Sequence, residues 1–519
     1  MRNILGLIVV VLLFVSCATL KNNQVAPPQK SIVVLYENDV HCGIDGYAKM
    51  AGLRDAINQS DTAYAVLVSS GDFLQGGTSG AISAGQYVVD IMRNMDYAAI
   101  TIGNHEFDYG VPHMKKLLSQ VNAPVVCVNF FDAGADKSYF PGYIIQKVGD
   151  KRVAFVGAVT PETMILERFA FYNEQDELIY DLKQPMFYAL IQQAVDQARK
   201  EGVDYVVLLS HVGEQTQSMG FDSHRLVAAT RGIDVVLDGH SHSVIPQSYE
   251  TNLDGKVIDI TQTGTQFMNI GKLIIAPNGK CTTMLLSSND LSYENARVKA
   301  STDSIKSLME SVIQREVCTI GYELEVLSPE TGLAYVRCRE TNAGDLVADA
   351  IRETFKTDIA LTNGGGIRNN VAAGRVTFGD VVSLVPYDNK LVKLEVTGAD
   401  IVNVLKLSTA LTPEPDGNFP QCSGIRYTIH TDTHTVSDVQ VLDQTTGEYV
   451  DIDLEKTYTL STNDYCKHSG FGGALKNCKV LQNTTTFMRD ALADYIDKTL
   501  SGNLGDTYAK PQGRITILP

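Results

Sequence analysis

The sequence has little positive charge relative to its negative charge. Its 43 lysines and arginines are outnumbered by 60 aspartates and glutamates, which gives a formal net charge of −17. Because no basic stripe is present to neutralise phosphates, nucleic acid is not expected as a partner. An anionic small molecule can still bind where metal ions or a few arginines concentrate positive charge.

The sequence also lacks closely paired cysteines. Eight cysteines follow Cys17, and no two of them form a CxxC motif. A zinc knuckle is therefore not expected. Disulfides and buried free thiols are both compatible with this spacing.

Internal repeats and low-complexity segments are absent, and 519 residues are too many for one core, so two large domains are expected. Between residues 31 and 288, short β-rich runs alternate with helical patterns such as 185–201, which indicates an α/β domain. A polar, helical stretch at 289–320 is interpreted as a linker helix. A second α/β region follows at 321–519.

The N-terminus predicts export. Residues 1–16 carry one arginine and then an apolar stretch too short for a comfortable membrane span. With Cys17 next, the segment resembles a bacterial lipoprotein signal peptide, cleaved before Cys17 and lipidated on its sulfur. An ordinary signal peptide and an N-terminal anchor are the alternatives. Residues 17–30 form a polar tether, so we expect a lipid-anchored protein of the cell envelope that faces the periplasm.

Side chains of metal-ligand type follow the β-rich runs of the first domain. In α/β folds such groups gather at the carboxyl ends of strands. Residues two apart in an extended segment face the same way, so Asp39 with His41, and His240 with His242, are each expected to act as a pair. The predicted ligands are Asp39, His41, Asp72, Asn104, His211, His240 and His242.

The number of these ligands indicates two metal ions. One zinc ion needs three or four ligands, and seven are available here without His105. Loop polarity is the alternative, but it does not explain five such blocks after five β-runs. A shared aspartate between two ions is typical of two-metal hydrolases. His and Asp ligands suit zinc, manganese or cobalt, and the sequence does not choose among them.

The order of the motifs D-x-H, GD, GNHE, H and GHxH resembles that of the calcineurin-like metallophosphoesterases. The closer resemblance is to the 5′-nucleotidase and UDP-sugar hydrolase family, in which GNHEFD is followed by NGGGIR in a second domain, as it is here. The resemblance implies an N-terminal four-layer α/β/β/α metallophosphoesterase-like sandwich at 31–288. It also implies a C-terminal α/β substrate-binding domain at 321–519.

The resemblance further implies how the ligands are divided. One divalent ion would be held by Asp39, His41, Asp72 and His242. The other would be held by Asp72, Asn104, His211 and His240, with Asp72 as the bridge. The expected reaction is in-line attack on phosphorus by a metal-bound hydroxide.

His105 and Asp108 match the catalytic dyad of the family. An imidazole beside two cations can hydrogen-bond a phosphoryl oxygen or protonate the leaving oxygen. A carboxylate on the other ring nitrogen fixes the tautomer. Glu106, between them, is interpreted as a structural residue that bonds loop amides.

In the second domain, the resemblance implies substrate binding by arginines and aromatic rings. Arg339 in RCRETNAGD and Arg368 in NGGGIR match substrate-binding arginines, although a surface salt bridge is the alternative for a lone arginine. Asn363 opens the glycine loop, whose glycines let a ligand approach the backbone closely. Phe419 and Tyr465 match the two rings that hold a base by stacking.

One feature of the family is missing. After TND the family has an aromatic residue and a GGDG loop whose acid holds the ribose hydroxyls, whereas this sequence reads TNDYCKHSGFGG and Phe471 falls near the acid. A 5′-nucleotidase is the expected activity. The alternatives are a 2′,3′-cyclic-nucleotide phosphodiesterase/3′-nucleotidase, a UDP-sugar hydrolase and a non-catalytic nucleotide-binding lipoprotein. A thiosulfohydrolase shares much of the first domain, but no feature favours it.

Overall fold

The structure is a computed structural model that describes residues 29–173, 177–214, 220–328 and 330–519. The predicted signal peptide, Cys17 and all but the last two residues of the predicted tether lie outside these ranges. Within them, every helix is too short or too polar to cross a membrane.

The first domain consists of two packed sheets flanked by helices. Its strands are β1 (Ser31–Glu37), β2 (Ala63–Ser69), β3 (Tyr97–Ile100), β4 (Phe131–Asp132), β5 (Tyr143–Val148), β6 (Lys151–Val159), β7 (Tyr180–Asp181), β8 (Tyr205–His211), β9 (Val235–Leu237), β10 (Val244–Thr251), β11 (Val257–Thr263), β12 (Asn269–Ile275) and β13 (Cys281–Ser287). Its helices are α1 (Tyr47–Gln59), α2 (Gly77–Ser83), α3 (Gln86–Met92), α4 (Val111–Leu118), α5 (Thr163–Leu166), α6 (Arg168–Phe171), α7 (Phe187–Lys200) and α8 (Ser223–Ala228).

The two main sheets of this domain contain the predicted β-runs. One sheet has the order β13-β12-β1-β2-β3, and the other has the order β10-β11-β9-β8-β6-β5. β1, β2 and β3 are parallel, and so are β6, β8, β9 and β11. The loops that carry the predicted ligands leave the carboxyl ends of these parallel strands.

Side-chain alternation along the strands produces the layers. In β1, Val34 and Tyr36 point into the core between the two sheets, which also takes alternate residues of β6 and β8. The intervening Val33 and Leu35 pack in a second core with α1, α3 and α4. A third core lies between the other sheet and α7 and α8. The layer order is therefore α/β/β/α, which confirms the predicted fold class.

The second domain is also α/β. Its strands are β14 (Glu316–Ile320), β15 (Ile359–Asn363), β16 (Gly374–Thr377), β17 (Lys390–Thr397), β18 (Pro420–Ser423), β19 (Ile425–His430), β20 (Thr435–Leu442), β21 (Tyr449–Asp451), β22 (Thr457–Asn463), β23 (Lys479–Phe487) and β24 (Ile515–Leu518). The remaining helices are α9 (Ala296–Ile313), α10 (Asn342–Phe355), α11 (Phe378–Leu384), α12 (Gly398–Ser408), α13 (Asp464–His468) and α14 (Met488–Asp494). The sheets have the orders β18-β15-β22-β17-β23, β21-β20-β19-β24 and β14-β16.

Helix α9 lies inside the stretch predicted as a linker. Val298 and Ile305 pack in the core of the first domain, and Val312 packs against the core of the second. The domains also meet near the ends of β17 and β23, where Tyr109 contacts Phe487 edge-to-face with 5.5 Å between ring centroids. This contact lies beside the edge of the sheets that carries the predicted ligands.

The cysteines of the described chain are free thiols. Six are buried and two, Cys281 and Cys478, are partly exposed. Of the two alternatives left by the sequence, the structure therefore has the unpaired thiols.

Candidate active site

The structure brings all seven predicted metal ligands together. Six lie in the loops after β1, β2, β3 and β9, and His211 is the last residue of β8. Asp39 and His211 are 0% exposed and Asp72 is 1% exposed, whereas the side chain of His242 is 46% exposed. The cluster is therefore buried on the protein side and open to solvent through His242.

Four of these residues form one compact donor set. Single ligand atoms of Asp39, His41, Asp72 and His242 all lie within 4.8 Å of one another. The Nε2 atoms of His41 and His242 are 2.8 Å apart, and Nε2 of His242 is 3.4 Å from Oδ1 of Asp39. Two imidazoles and two carboxylates converging on one point form a donor set that suits a divalent transition metal.

A second set lies on the other side of Asp72. Nε2 of His211 is 3.0 Å from Oδ2 of Asp72, and Nδ1 of His240 is 2.8 Å from Oδ1 of Asn104. Both Nε2 of His211 and Oδ2 of Asp72 are buried, and apart from their contact with each other neither has a hydrogen-bond partner in the described chain. Buried polar atoms without partners require an explanation, and a cation between them supplies one. Asp72 belongs to both sets, so its position fits a bridging ligand.

The far sides of the imidazoles are held by backbone carbonyls. Nδ1 of His41 lies 3.1 Å from the carbonyl oxygen of Gln75, and Nδ1 of His211 lies 2.7 Å from that of Ser70. A carbonyl can only accept, so each Nδ1 carries a hydrogen and each Nε2 faces the cluster, where loss of its proton would leave a lone pair for a metal ion. Metal-binding histidines in proteins are oriented in this way.

Strained backbone aims the ligands at the centre. Five of the seven predicted ligands have positive φ: Asp39 (52°), His41 (45°), Asp72 (60°), His240 (78°) and His242 (54°). Such conformations cost of order 1–3 kcal/mol each and cluster at functional sites.

The prediction that each D-x-H or H-x-H pair shares one face of an extended segment was wrong. β1 ends at Glu37 and β9 at Leu237, and left-handed turns direct the side chains instead.

The buried carboxylates of Asp39 and Asp72 attract positive charge to the cluster. Burial disfavours a charged His211, but Asp72 and Asp39 raise its pKa to about 10. Burial likewise opposes ionisation of Asp72, yet His211 and His105 hold the pKa of that carboxyl well below its usual range. Two buried carboxylates therefore attract positive charge, whether from protons or from metal ions.

Glu106 ties two of the ligand loops together. Its carboxylate accepts hydrogen bonds from the backbone N–H groups of Asp72, Phe73 and Leu74 at 2.8–3.0 Å, and from that of Gly103 at 2.5 Å. It is 0% exposed. The loops after β2 and β3 are thereby fixed to each other, which confirms the interpretation of Glu106 as structural.

His105 and Asp108 form the predicted pair. Nδ1 of His105 is 3.1 Å from Oδ2 of Asp108, and the backbone N–H of His105 donates to Oδ1 of Asp72 at 2.8 Å. The His105 side chain is 31% exposed, so its ring reaches the open side of the cluster. Burial disfavours a charged imidazole, but Asp108 and Asp72 raise the pKa of His105 well above its ordinary range.

In the second domain, Arg368 lines a cavity of about 440 Å³ together with Arg337. In the described chain neither guanidinium pairs with a carboxylate, so the cavity suits an anionic group. Arg339, which the sequence predicted for this role, instead pairs with Glu325 at 3.0 Å and does not line the cavity. Arg337 was not predicted from the sequence, although it lies two residues before Arg339 in the same motif.

The NGGGIR loop explains why these arginines meet. A Cβ on Gly364 would lie 2.1 Å from the carbonyl oxygen of Val336, so only glycine allows the two backbones to approach. This approach places Arg337, the next residue after Val336, beside Arg368. The glycine at this position is therefore required by the neighbouring chain segment as well as by any ligand.

The remaining predicted residues of the second domain differ in exposure. Asn363 donates to the carbonyl of Gly417 at 3.2 Å, which orders the loop next to the cavity. The Tyr465 ring is 43% exposed, but Phe419 is 1% exposed within the domain core. Phe471 is in the same core with φ of 53°, a left-handed backbone that is unusual for an aromatic residue. The stacking role of Phe419 stays a prediction.

Replacing Glu106 with Gln tests the link between the ligand loops. The amide nitrogen would face backbone N–H groups, so we expect a loss of about 1–3 kcal/mol in the free energy of unfolding of the metal-free protein. Affinity for Mn²⁺ should fall as well, because the Asp72 loop loses its anchor. Denaturant unfolding and calorimetric titration measure the two effects. Glu310→Gln, at an exposed position on α9, is the control. Equal stability and equal affinity in the two variants would contradict the assignment.

Comparison with known proteins assigns a family model to each of the two domains. The family model for calcineurin-like phosphoesterase matches residues 32–244, and the model for 5′-nucleotidase, C-terminal domain, matches residues 321–477. A trifunctional nucleotide phosphoesterase of Bacillus subtilis is 26% identical over 86% of this chain, which spans 32% of that protein's length. A snake venom 5′-nucleotidase of Gloydius brevicauda is 24% identical, with 96% of this chain and 90% of the relative covered.

Solved structures give the same result for the fold. The crystal structure of a 5′-nucleotidase precursor from Thermus thermophilus has a TM-score of 0.56 at 23% identity and covers 94% of this chain and 99% of that one. The two family models together account for most of the chain and lie in the order that the fold shows. The chain therefore belongs to the 5′-nucleotidase family of metal-dependent phosphoesterases, in which a calcineurin-like phosphoesterase domain precedes a 5′-nucleotidase C-terminal domain.

Proposed function

We propose that this protein is an exported 5′-nucleotidase that releases phosphate from a nucleotide at the cluster of Asp39, His41, Asp72, Asn104, His211, His240 and His242. The observation that carries the proposal is the convergence of two donor sets on Asp72, where Oδ2 of Asp72 and Nε2 of His211 lie buried 3.0 Å apart with no other hydrogen-bond partner in the described chain. Nucleotide phosphoesterase and 5′-nucleotidase are also the names of the relatives. Export and a lipid on Cys17 rest on the sequence alone.

The donor sets fit two divalent ions, with zinc, manganese and cobalt as candidates. His41 and His242 with Asp39 would hold one ion, His211 and His240 with Asn104 the other, and Asp72 would contact both. Such ions would neutralise the phosphoryl oxygens and make a water molecule more acidic. The chain itself supplies the fixed geometry, because its ligand loops are locked by Glu106 and by backbone carbonyls.

His105 is proposed to act on the phosphate directly. Its Nδ1 is held by Asp108, so Nε2 is the free nitrogen on the exposed side of the ring. Against the effect of burial, Asp108 and Asp72 raise the pKa of His105, which favours the protonated imidazole. A protonated Nε2 can donate to a phosphoryl oxygen or pass its proton to the leaving oxygen.

Arg337 and Arg368 are proposed to donate hydrogen bonds to the nucleoside part of the substrate in the second domain, with Tyr465 offering its exposed ring to the base. Phe471 occupies the core near the place where the resemblance calls for a ribose-binding acid. This observation keeps a UDP-sugar or a 2′,3′-cyclic nucleotide as alternative substrates for the same chemistry.

His105→Asn tests the chemistry. We expect turnover of AMP to fall about 10²–10⁴-fold, the usual contribution of a positioned acid or base. Bound metal should be unchanged, since His105 is not among the predicted ligands. Phosphate release and elemental analysis give the two numbers. His113→Asn, on α4, where the imidazole lies 2.8 Å from the carbonyl oxygen of Ala84, is the control. Parallel loss of metal and activity would make His105 a ligand instead.

Substrate choice is tested with AMP, UMP, UDP-glucose, 2′,3′-cyclic AMP and an aryl phosphate, with a second phosphatase added to reveal phosphomonoester products. We expect Arg337→Ala and Arg368→Ala to raise KM for the nucleotides about tenfold or more, as loss of a charged hydrogen bond does, and to leave the aryl phosphate nearly unchanged. Arg339→Ala is the matched variant and should behave like the wild type.

Three results contradict parts of this proposal. A nucleotide-specific defect in Arg339→Ala alone would restore the assignment made from the sequence. Preference for UDP-glucose or the cyclic nucleotide would change the substrate and keep the reaction. No turnover of any substrate by the metal-loaded protein would leave a nucleotide-binding lipoprotein as the remaining function.

A further inference from the structure

Behind the His105–Asp108 pair lies a third carboxylate, that of Glu167. Single ligand atoms of His105, Asp108 and Glu167 all lie within 4.8 Å of one another. Glu167 is 7% exposed and Asp108 is 4% exposed. Two buried carboxylates so close together repel each other unless a proton or a cation lies beside them.

The cation is supplied by the other domain. Nζ of Lys390, the first residue of β17, lies 3.1 Å from Oε2 of Glu167 and 3.6 Å from the centre of the Phe169 ring. Lys390 is 5% exposed, so this ion pair is closed off from solvent. Buried lysines are rare, and a buried ion pair costs desolvation energy, so its presence here needs a reason other than stability.

The pKa shifts of the neighbouring carboxyl groups show which residues Lys390 affects. Burial raises the pKa of Asp108, but His105 and Lys390 outweigh this and lower it. Burial and Asp108 raise the pKa of Glu167 to about 8, against the opposing effect of Lys390. Asp464 also faces this group, because its carboxylate accepts from the backbone N–H of Lys390. The Lys390 ammonium therefore interacts with three buried or partly buried carboxylates, and one of them, Asp108, contacts the imidazole of His105.

A second contact of the same loop supports the connection. Asp388, two residues before Lys390, accepts from the side chain of Gln75 and pairs with Arg489, which is 0% exposed. Gln75 is the residue whose carbonyl holds Nδ1 of His41. Tyr387, which precedes Asp388, has its ring centre 5.8 Å from the Arg368 guanidinium. One short loop therefore contacts the substrate cavity of the second domain and the supports of the catalytic residues in the first.

We propose that Lys390 is a positioning residue that acts across the domain interface, holding Glu167 against Asp108 so that Asp108 keeps the His105 ring oriented for the reaction. The inference rests on the proposed function, since it concerns the same dyad. It adds that the dyad is fully supported only in the domain arrangement that brings the loop of Tyr387, Asp388 and Lys390 to the first domain.

Lys390→Met tests the proposal, because it keeps the length of the side chain and removes the charge. We expect kcat for AMP to fall about 10–100-fold, the usual effect of losing a partner that orients a catalytic side chain. KM should change less than about twofold, since Lys390 does not contact the substrate. Lys390→Arg should retain most of kcat. Lys393→Met, on the same strand with its ammonium near the carbonyl of Phe355, is the control and should match the wild type.

A double-mutant cycle separates positioning from other roles. If Lys390 acts through Glu167, then Lys390→Met should change kcat less than about twofold in a Glu167→Gln background. The same cycle measured by thermal unfolding of the metal-free protein should also be non-additive, which tests the ion pair without any catalysis. Additive effects on kcat would mean that Lys390 acts on the substrate or elsewhere, and would overturn the proposal.

The outcomes also distinguish this inference from the proposed function. Wild-type turnover combined with additive cycles, or with an unchanged kcat in Lys390→Met, would overturn the inference alone. Absence of turnover in the metal-loaded wild type would overturn the proposed function, and the role of Lys390 with it.

Discussion

The structure depends on the burial of two carboxylates, Asp39 and Asp72, where two sheets meet. Each is held by loop geometry that an isolated peptide would not adopt, with φ of 52° and 60°. Against the effect of burial, their charge raises the pKa of His211, whereas the pKa of His105 is raised by Asp108 and then by Asp72. Buried polar atoms of Asp72 and His211 have no ordinary partners in the described chain beyond each other. The fold therefore stabilises an arrangement that is complete only with cations, as expected for a metal centre.

Core packing and hydrogen bonds around this centre hold the ligand loops in their strained conformations. The strands beneath it pack in three layers of core, and Glu106 fixes two of the loops to each other with four backbone hydrogen bonds. Carbonyl groups hold the outer nitrogens of His41 and His211. A site that must keep strained backbone and like charges in place needs this kind of support, since strain persists only where the surroundings determine it.

The second domain contributes a cavity of its own and a loop that contacts the first domain. Arg337 and Arg368 line a cavity in this domain, and the loop from Tyr387 to Lys390 extends to the first domain. Lys390 contacts Glu167 behind the His105–Asp108 pair, and Asp388 contacts Gln75 behind His41. The cavity of the second domain and the residues that support His41 and His105 in the first domain are thus connected through one short loop.

Much of this site could be predicted from the sequence, and the reasons for the failures are physical. The convergence of the seven predicted ligands followed from their places at the ends of the β-runs, because parallel strands end at a common edge. The local geometry of Asp39 and His41 did not, since a left-handed turn leaves no periodic signal. Arg337 was missed because two arginines in one motif cannot be ranked without knowing that Gly364 draws Val336 close. Lys390 gave no signal, because its partner Glu167 lies 223 positions away in the chain.

The most direct test of the account is the metal content of Asp72→Asn. Wild-type protein loaded with Mn²⁺ and freed of excess metal should hold two ions per chain by elemental analysis. Asp72→Asn should hold neither at comparable occupancy, because both donor sets lose their common ligand, while Asp234→Asn, which removes a carboxylate paired with Arg199, should keep both. An Asp72→Asn protein that retains one fully occupied ion would contradict the shared bridge, and one that retains two would contradict the assignment of the centre.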